Sequence, residues 1–357
     1  MHSKTKIDIV VPVLNEEKYI ASCLDSILKF KVPENVETEI YIIDGMSRDK
    51  TKEICLQYSA RHENIKYLEN KEKIQSCALN LAIKNGTGDY IMRLDAHAKY
   101  PTDYLSNCIE TSFRTNADNV GGIVITLKGD DTYHAALVQA LTTHKFGVGD
   151  SSFRTEEKME NSSDTVPFGF FKKEIFKKVG FFDQRLVRAQ DYEMNRRIIK
   201  FGGRIWLNSA IFSEYYNQPT LAKFLNKQFF KEAPYNAYMW YVAPYSFAIR
   251  HVITGCFTGG ILLGLLLSIF SPLIANIYIG VLILYFSLAF LSSVQQAIKY
   301  KHPSFIIILP FCFFSYHFIH GAGVLVGLLN LLVGKSPVQK IKEPWPGAGR
   351  YRAFPLA

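Results

Sequence analysis

Residues 7–17 read IDIVVPVLNEE. The run 7–13 is continuous and rich in β-branched residues, as expected of a strand covered on both faces. Asn15 is placed to cap the helix that follows, in which Ile20, Leu24, Ile27 and Leu28 keep helical spacing. The alternation then repeats. Residues 39–44, EIYIID, read as a second strand, 50–61 as a helix, 65–68 as a short strand, and 76–84 as a helix stopped by Gly86 and Gly88. A strand at 89–95, a helix at about 103–113 and a strand at 120–125 follow, then two elements at 168–179 and 191–201, the second a helix. This order predicts an α/β fold with a central, mostly parallel sheet covered by helices. Residues 128–164 break the pattern. They are polar, rich in Thr, Ser and Gly, and lack a sustained period, so a long functional loop is expected there.

The second half has a different composition. Residues 251–298 and 302–334 contain no Asp, Glu, Lys or Arg. A bilayer core needs about 20 consecutive apolar residues per helix, and ionised groups within it are costly. The first stretch fits two spans that turn at Ser271-Pro272, with Arg250 before and Lys299 and Lys301 after, which predicts both outer ends in the cytosol. The second is long for one span and short for two. A single span would put the basic tail (Lys335, Lys340, Lys342, Arg350, Arg352) outside, whereas an in-plane or re-entrant hairpin broken at His320-Gly321 would keep it inside. Between Pro219 and Pro244, lysines 223, 227 and 231 interleave with Phe224, Phe229, Phe230, Tyr235, Tyr238, Trp240 and Tyr241. That interleaving suits helices in the headgroup plane, with rings down and ammonium groups snorkelling up. The expected division is therefore 1–218, an α/β domain; 219–250, interfacial helices; 251–334, a membrane region; and 335–357, a basic tail.

The net charge of +9 fits attraction to anionic lipid headgroups, and no nucleic-acid partner is expected. None of the cysteines (Cys23, Cys55, Cys77, Cys108, Cys256, Cys312) forms a CxxC or a Cys/His cluster, so they read as reduced, buried apolar residues. The apolar run near the N-terminus is short, β-branched and broken by Pro12, unlike a signal peptide, so the first domain is expected in the cytosol.

Open α/β sheets bind ligands at the carboxyl ends of their strands. Asp44 ends the second predicted strand and Asp95 the fourth, inside Arg93-Leu94-Asp95-Ala96-His97. Asp95 and His97, two apart in an extended segment, can both turn toward one divalent cation. No G-x-G-x-x-G follows the first strand, which argues against a dinucleotide-binding dehydrogenase. The turn carries Pro12, Leu14, Asn15, Glu16 and Glu17 instead, a set suited to sugar hydroxyls or a base. Neutralising a phosphate would fall to a cation and to residues such as Lys73.

With VVPVLNEEKYI, IIDGMSRDKT, RLDAHAKYP and AQDYEMNRRI in view, residues 5–215 resemble the family 2 glycosyltransferases, whose fold is the GT-A nucleotide-sugar-binding domain. RLDAH, HKFGVGDSSFR and the apolar C-terminal segments are most similar to the subgroup related to the succinoglycan glucosyltransferase ExoA. The resemblance implies that Asp44 contacts the base, typically uracil, that Pro12, Leu14, Asn15 and Glu16 line the nucleoside pocket, and that Lys73 approaches the diphosphate. Asp95 and His97 match the family's Asp-x-Asp motif, which contacts the nucleotide and holds Mg²⁺ or Mn²⁺. Asp191 matches the general base, with Gln190 where an acidic residue is usual. Its place at a helix N-terminus is expected to keep its pKa low. The Gln-x-x-Arg-Trp of processive synthases is absent; the nearest segment is Gln228-Phe229-Phe230-Lys231-Glu232.

The expectation is an inverting, metal-dependent transferase. It would move a sugar from a UDP-sugar to a lipid-linked saccharide or polyprenyl-phosphate acceptor. It would sit as a multi-pass protein of the inner, cytoplasmic membrane with its catalytic domain in the cytoplasm. The alternative is an inert sugar-nucleotide-binding or polysaccharide-export subunit.

Overall fold

The computed structural model describes residues 4–149, 151–155 and 159–340. They form two compact units, one of residues 4–125 with 159–215 and the other of residues 126–155 with 216–340.

The elements run in chain order β1 (Thr5–Val13), α1 (Ile20–Ile27), β2 (Val36–Asp44), α2 (Thr51–Arg61), β3 (Ile65–Glu69), α3 (Gln75–Asn85), β4 (Tyr90–Arg93), β5 (Ala98–Lys99), α4 (Tyr104–Thr115) and β6 (Asn119–Leu127). Three short helices come next, α5 (Tyr133–Thr142), α6 (Lys145–Val148) and α7 (Ser152–Thr155). The sheet is then completed through β7 (Glu160–Ser162), β8 (Phe170–Lys172), α8 (Ile175–Val179), α9 (Gln190–Lys200) and β9 (Ile205–Tyr216). The strands form one mixed sheet in the order β3-β2-β1-β4-β8-β6-β9-β5, with β7 on β9. The parallel part is β3-β2-β1-β4. It ends there because β8 enters antiparallel between β4 and β6, a reversal hidden in the predicted element 168–179.

β1 lies inside the sheet yet contains a proline. Pro12 pairs with Ile43 of β2 beyond the last β4 pair, Val10 with Arg93, so its missing N–H takes no bond from β4. Asp8 is buried in the same strand and accepts from the Gly88 N–H at 2.8 Å. A Cβ on Gly86 would stand 2.1 Å from the Asp8 carboxylate, so the glycine that ends α3 also seats this acid. Parallel registry carries the ends of four neighbouring strands, at Glu69, Asp44, Val13 and Arg93, to one edge.

The second unit adds α10 (Leu221–Lys227), a π-helical turn (Gln228–Glu232), α11 (Ala233–Val242), α12 (Ile249–Ser268), α13 (Pro272–Tyr300) and α14 (Phe305–Leu332). Pro234, which has no N–H to donate, sits where the π-turn passes into α11. The aromatics of this segment divide: Phe224 and Tyr238 are buried, Phe230 and Tyr241 exposed. Among the described residues three helices, α12, α13 and the one that begins at Phe305, are long and apolar enough to cross a membrane. α14 is continuous through His320-Gly321. The glycine that reads as a break is instead a close contact, where a Cβ would lie 1.9 Å from the Thr254 carbonyl oxygen of α12.

The expected loop at 128–164 is also corrected. Thr132 caps α5 by accepting from the Ala135 N–H, and the apolar face of α5 joins Phe305, Leu309 and Phe313 in one buried cluster. Polar residues on either side had masked the helical spacing of Ala136, Leu137, Ala140 and Leu141. Of the basic tail, residues 341–357, with Lys342, Arg350 and Arg352, lie outside the described residues.

Candidate active site

The carboxyl edge of the parallel strands gathers most of the residues singled out from the sequence. The turn after β1 and the loop after β2 are stitched together. Asn15 N–H donates to Ser47 Oγ, Glu16 N–H to Thr51 Oγ1, and Arg48 N–H to Asn15 Oδ1. Asn15 therefore does not cap α1, whose N-cap is Tyr19. Its left-handed backbone (φ 57°) aims its amide at the neighbouring loop instead. Pro12 is half-buried within β1, Leu14 is exposed, and Glu16 is half-buried. Lys73 is exposed ahead of α3, its backbone packed against Gly45.

Asp44 is 0% exposed. Ser47 donates to its Oδ1 through both N–H and Oγ, and Tyr67 Oη donates to its Oδ2 at 2.8 Å. The acid thus sits under the edge rather than open to it, and a base that reaches it must displace Ser47 or Tyr67.

Asp95 and Asp191 are far apart in sequence and joined by one side chain. Arg93 Nη2 donates to Asp95 Oδ1 at 2.7 Å and Arg93 Nη1 to Asp191 Oδ2 at 2.6 Å. Arg93 is itself buried beside the Phe168 ring, with its backbone N–H held by the Gly169 carbonyl. Burial works against its charge, but Asp191 and Asp95 outweigh that and raise its pKa. A second route links the same groups. Gln75 Nε2 donates to Asp95 Oδ1 at 3.4 Å, and Gln190 Nε2 donates to Gln75 Oε1 at 2.7 Å. Tyr100, also buried, closes the backbone of Asp95 by exchanging hydrogen bonds with its N–H and C=O. α3 fixes the approach to α9, because Ser76 Oγ donates to the Leu186 carbonyl and Asn80 exchanges two bonds with the backbone of Phe182.

Asp191 occupies the first turn of α9, where a helix dipole favours the anion. The low pKa expected from that placement is not found. Burial pushes the Asp191 carboxyl up, by more than the neighbouring Arg93 pulls it down. Its Oδ1 is buried with no hydrogen-bond partner among the described residues, as are Arg93 Nε and Gln190 Oε1. His97 turns its Nδ1 to Glu16 Oε1 at 2.9 Å and its ring edge to Tyr215. Burial disfavours the charged ring, yet the Glu16 bond and nearby Tyr215 and Asp95 raise its pKa to about 9.

Among the described residues no three His, Cys, Asp or Glu side chains converge as a metal cage. Asp95 and His97 offer two donors at most, and His97 already spends its Nδ1 on Glu16, so a cation there would need its ring deprotonated and the rest of its shell from substrate phosphate oxygens.

Backbone strain marks the same region. Asn15, Met46, Lys73, Phe168 and Ala189 all have positive φ, in the loops after β1, β2 and β3 and just before β8 and α9. Each such residue costs about 1–3 kcal/mol and persists only where its surroundings enforce it. None of these five is glycine, and only Asn15 is of a type that often adopts this conformation, so residue type does not mark the strain. Arg93, Gln75 and Tyr100 were likewise missed as site residues, although Arg93 stands in the motif that pointed to Asp95.

Comparison with known proteins agrees with this arrangement. Residues 8–180 match the sequence profile described as Glycosyl transferase family 2. A Methanococcus voltae protein, dolichyl N-acetyl-α-D-glucosaminyl phosphate 3-β-D-2,3-diacetamido-2,3-dideoxy-β-D-glucuronosyltransferase, is 30% identical over 335 residues, 91% of this chain and 97% of that protein. The succinoglycan biosynthesis protein ExoA of Rhizobium meliloti is 33% identical over 215 residues, 60% of this chain and 64% of its own length. Among solved structures, a mannosyltransferase from Pyrobaculum calidifontis in complex with GDP-Man and Mn²⁺ superposes with a TM-score of 0.58 at 17% identity. That match covers 93% of this chain and 88% of the other, and it shows the shared GT-A fold. From the profile match and from the relative aligned over nearly its whole length, this protein belongs to glycosyltransferase family 2.

Proposed function

We propose that the protein transfers one sugar, with inversion, from a nucleotide-sugar to a saccharide carried on a polyprenyl phosphate in a membrane. The observation that supports this reading is Arg93, which pairs with both Asp95 and Asp191; in it Asp95 serves the donor and Asp191 the acceptor. The Methanococcus voltae relative, matched over nearly its whole length, is named for a dolichyl-phosphate-linked N-acetylglucosamine acceptor, which supports the acceptor class. UDP is the expected nucleotide from the family resemblance.

Asp191 Oδ1 has no partner among the described residues and suits a substrate hydroxyl. Asp191 takes that proton as the hydroxyl oxygen attacks the anomeric carbon, and the nucleoside diphosphate leaves from the opposite face with the bonding pair. Burial raises its basicity beyond that of a solvent-exposed carboxylate. Asp95, together with His97 once its ring has given up a proton, would hold Mg²⁺ or Mn²⁺, which would offset the charge growing on the departing diphosphate. Asp44 fixes Ser47 and Tyr67 against the base, Leu14 and Met46 offer exposed apolar surface beside it, and Lys73 meets the phosphates. Lys73 and Asp95 then serve the donor, and Glu16 orients His97.

The test is transfer from UDP- and GDP-sugars to a short polyprenyl-phosphate N-acetylglucosamine, using detergent-solubilised protein with and without EDTA. Asp191→Asn is expected to lose about 10³-fold in transfer while donor binding stays within about threefold. Transfer by this variant at the parent rate would remove Asp191 as the base.

A further inference from the structure

α12 and α13 form an antiparallel hairpin. The rings of Phe257 and Tyr285 stack with centroids 4.8 Å apart, and nearer the turn Tyr278 packs over Gly264, where a Cβ would lie 2.6 Å from the ring. The buried residues of the hairpin lie toward its open end, at Gly255, Thr258 and Ile261 in α12 and between Ala289 and Ala297 in α13. The closed end is bare, with Ile269, Phe270 and Leu273 exposed by 74%, 77% and 69%.

The connection between the two helices suits hydrocarbon rather than water. It has no charged residue, and its polar groups turn inward. Ser268 Oγ donates to the Leu265 carbonyl, and Ser271 Oγ accepts from the Ile274 N–H. The N–H groups of Phe270 and Ala275 donate to the carbonyls of Leu267 and Ser271, and Pro272 has no N–H. A lipid-facing segment needs its backbone groups satisfied internally, and these bonds supply part of that.

Its reach is short. A Cβ on Gly321 would meet the Thr254 carbonyl oxygen, and one on Gly323 would lie 2.9 Å from the Phe229 carbonyl oxygen. Phe229 belongs to the π-turn that carries Glu232, which pairs with Lys227 at 3.6 Å. Charge therefore lies about level with Thr254, and charge is costly away from the headgroups. From Thr254 to Ser268 α12 rises roughly 21 Å, against about 30 Å of hydrocarbon in a bilayer.

α14 does not carry the chain across either. It meets α12 where Thr258 donates to the Phe318 carbonyl, where Thr254 bonds His320, and where Gly255 faces Val324. Further on, Gly327 packs against Pro234 and Ala237 of α11, and Asn330 donates to Tyr238. Were α14 to cross, these contacts would draw Lys227 and Glu232 into the bilayer with it.

We propose that α12–α13 is a re-entrant hairpin whose closed end stops inside the hydrocarbon of a lipid bilayer, short of the far headgroups, with α14 beside its open end, so that neither crosses the membrane. Acyl chains cover the bare face. Arg250 lies at the open end of α12, where a basic side chain favours anionic headgroups.

Single cysteines test this in the full chain, with Cys256→Ser as background and sealed vesicles of phosphatidylethanolamine and phosphatidylglycerol. Glu63→Cys and Lys335→Cys should react with a membrane-impermeant maleimide from the same face, and Phe270→Cys from neither. A nitroxide on Phe270→Cys should report a depth inside the hydrocarbon. Ile269→Cys serves if the first variant fails to assemble. Labelling at 270 from the face opposite Glu63, or a nitroxide in the far headgroups, overturns the proposal in favour of two spans. Labelling of Lys335→Cys from the opposite face overturns it by showing that α14 crosses.

Discussion

Arg93 grips two carboxylates with the two ends of one planar guanidinium. A lysine keeps the charge but has only one head to offer. Arg93→Lys is therefore expected to fold, to bind donor within about threefold, and to lose roughly 10²-fold in kcat, since small misplacements of reacting groups cost that much. Parallel titration calorimetry and turnover assays check this, and an unchanged kcat counts against the bridge. The His97–Glu16 pair makes a pH prediction. The folded-state pKa of about 9 lies above the usual histidine value of about 6.5. The pair's stabilisation is then complete below about pH 6.5 and fades as pH climbs through about 9. In EDTA, the melting temperature should fall across that window, and Glu16→Gln should flatten the fall. Asp95 and His97 stood out at a predicted strand end, and Asp191 through the family resemblance. Gln75 and the bridging role of Arg93 were not, because only tertiary folding brings α3, β4 and α9 to one place.

At the scale of elements, local pattern and tertiary role part company at glycines and at short amphipathic helices. Gly321 carries the signature of a break and serves as a point of contact, with room for hydrogen alone before the Thr254 carbonyl. Gly321→Val should destabilise the second unit by more than the roughly 1–3 kcal/mol typical of overpacking, because the obstacle is backbone. Thermal unfolding in detergent reads this, and an unchanged midpoint would mean that α12 and α14 are further apart. The strands of the parallel half were readable because burial on both faces writes continuous apolar runs. α5 was hidden because its apolar face spans so few turns between polar flanks. The antiparallel entry of β8 left no mark, since a strand of three residues sets no period.

The whole molecule does not divide where its composition changes. Residues 126–155 leave the sheet between β6 and β7 and complete the second unit, where Gln296 donates to the Ala140 carbonyl and Tyr133 bonds Ser304. A fragment of residues 1–218 should therefore be poorly soluble despite holding every catalytic candidate, because α5 loses the partners of its apolar face. Size-exclusion chromatography of that fragment decides the matter, and a monodisperse, donor-binding monomer would show that α5 needs no cover. The same path bears on biosynthesis. α5 emerges from the ribosome well before Ala289 and Phe313, and at about 5–20 residues per second the interval is on the order of 10–30 s. For that time the apolar face of α5 waits without its partners, so nascent chains are expected to be held by a chaperone or by an early lipid contact until the C-terminal helices have been made.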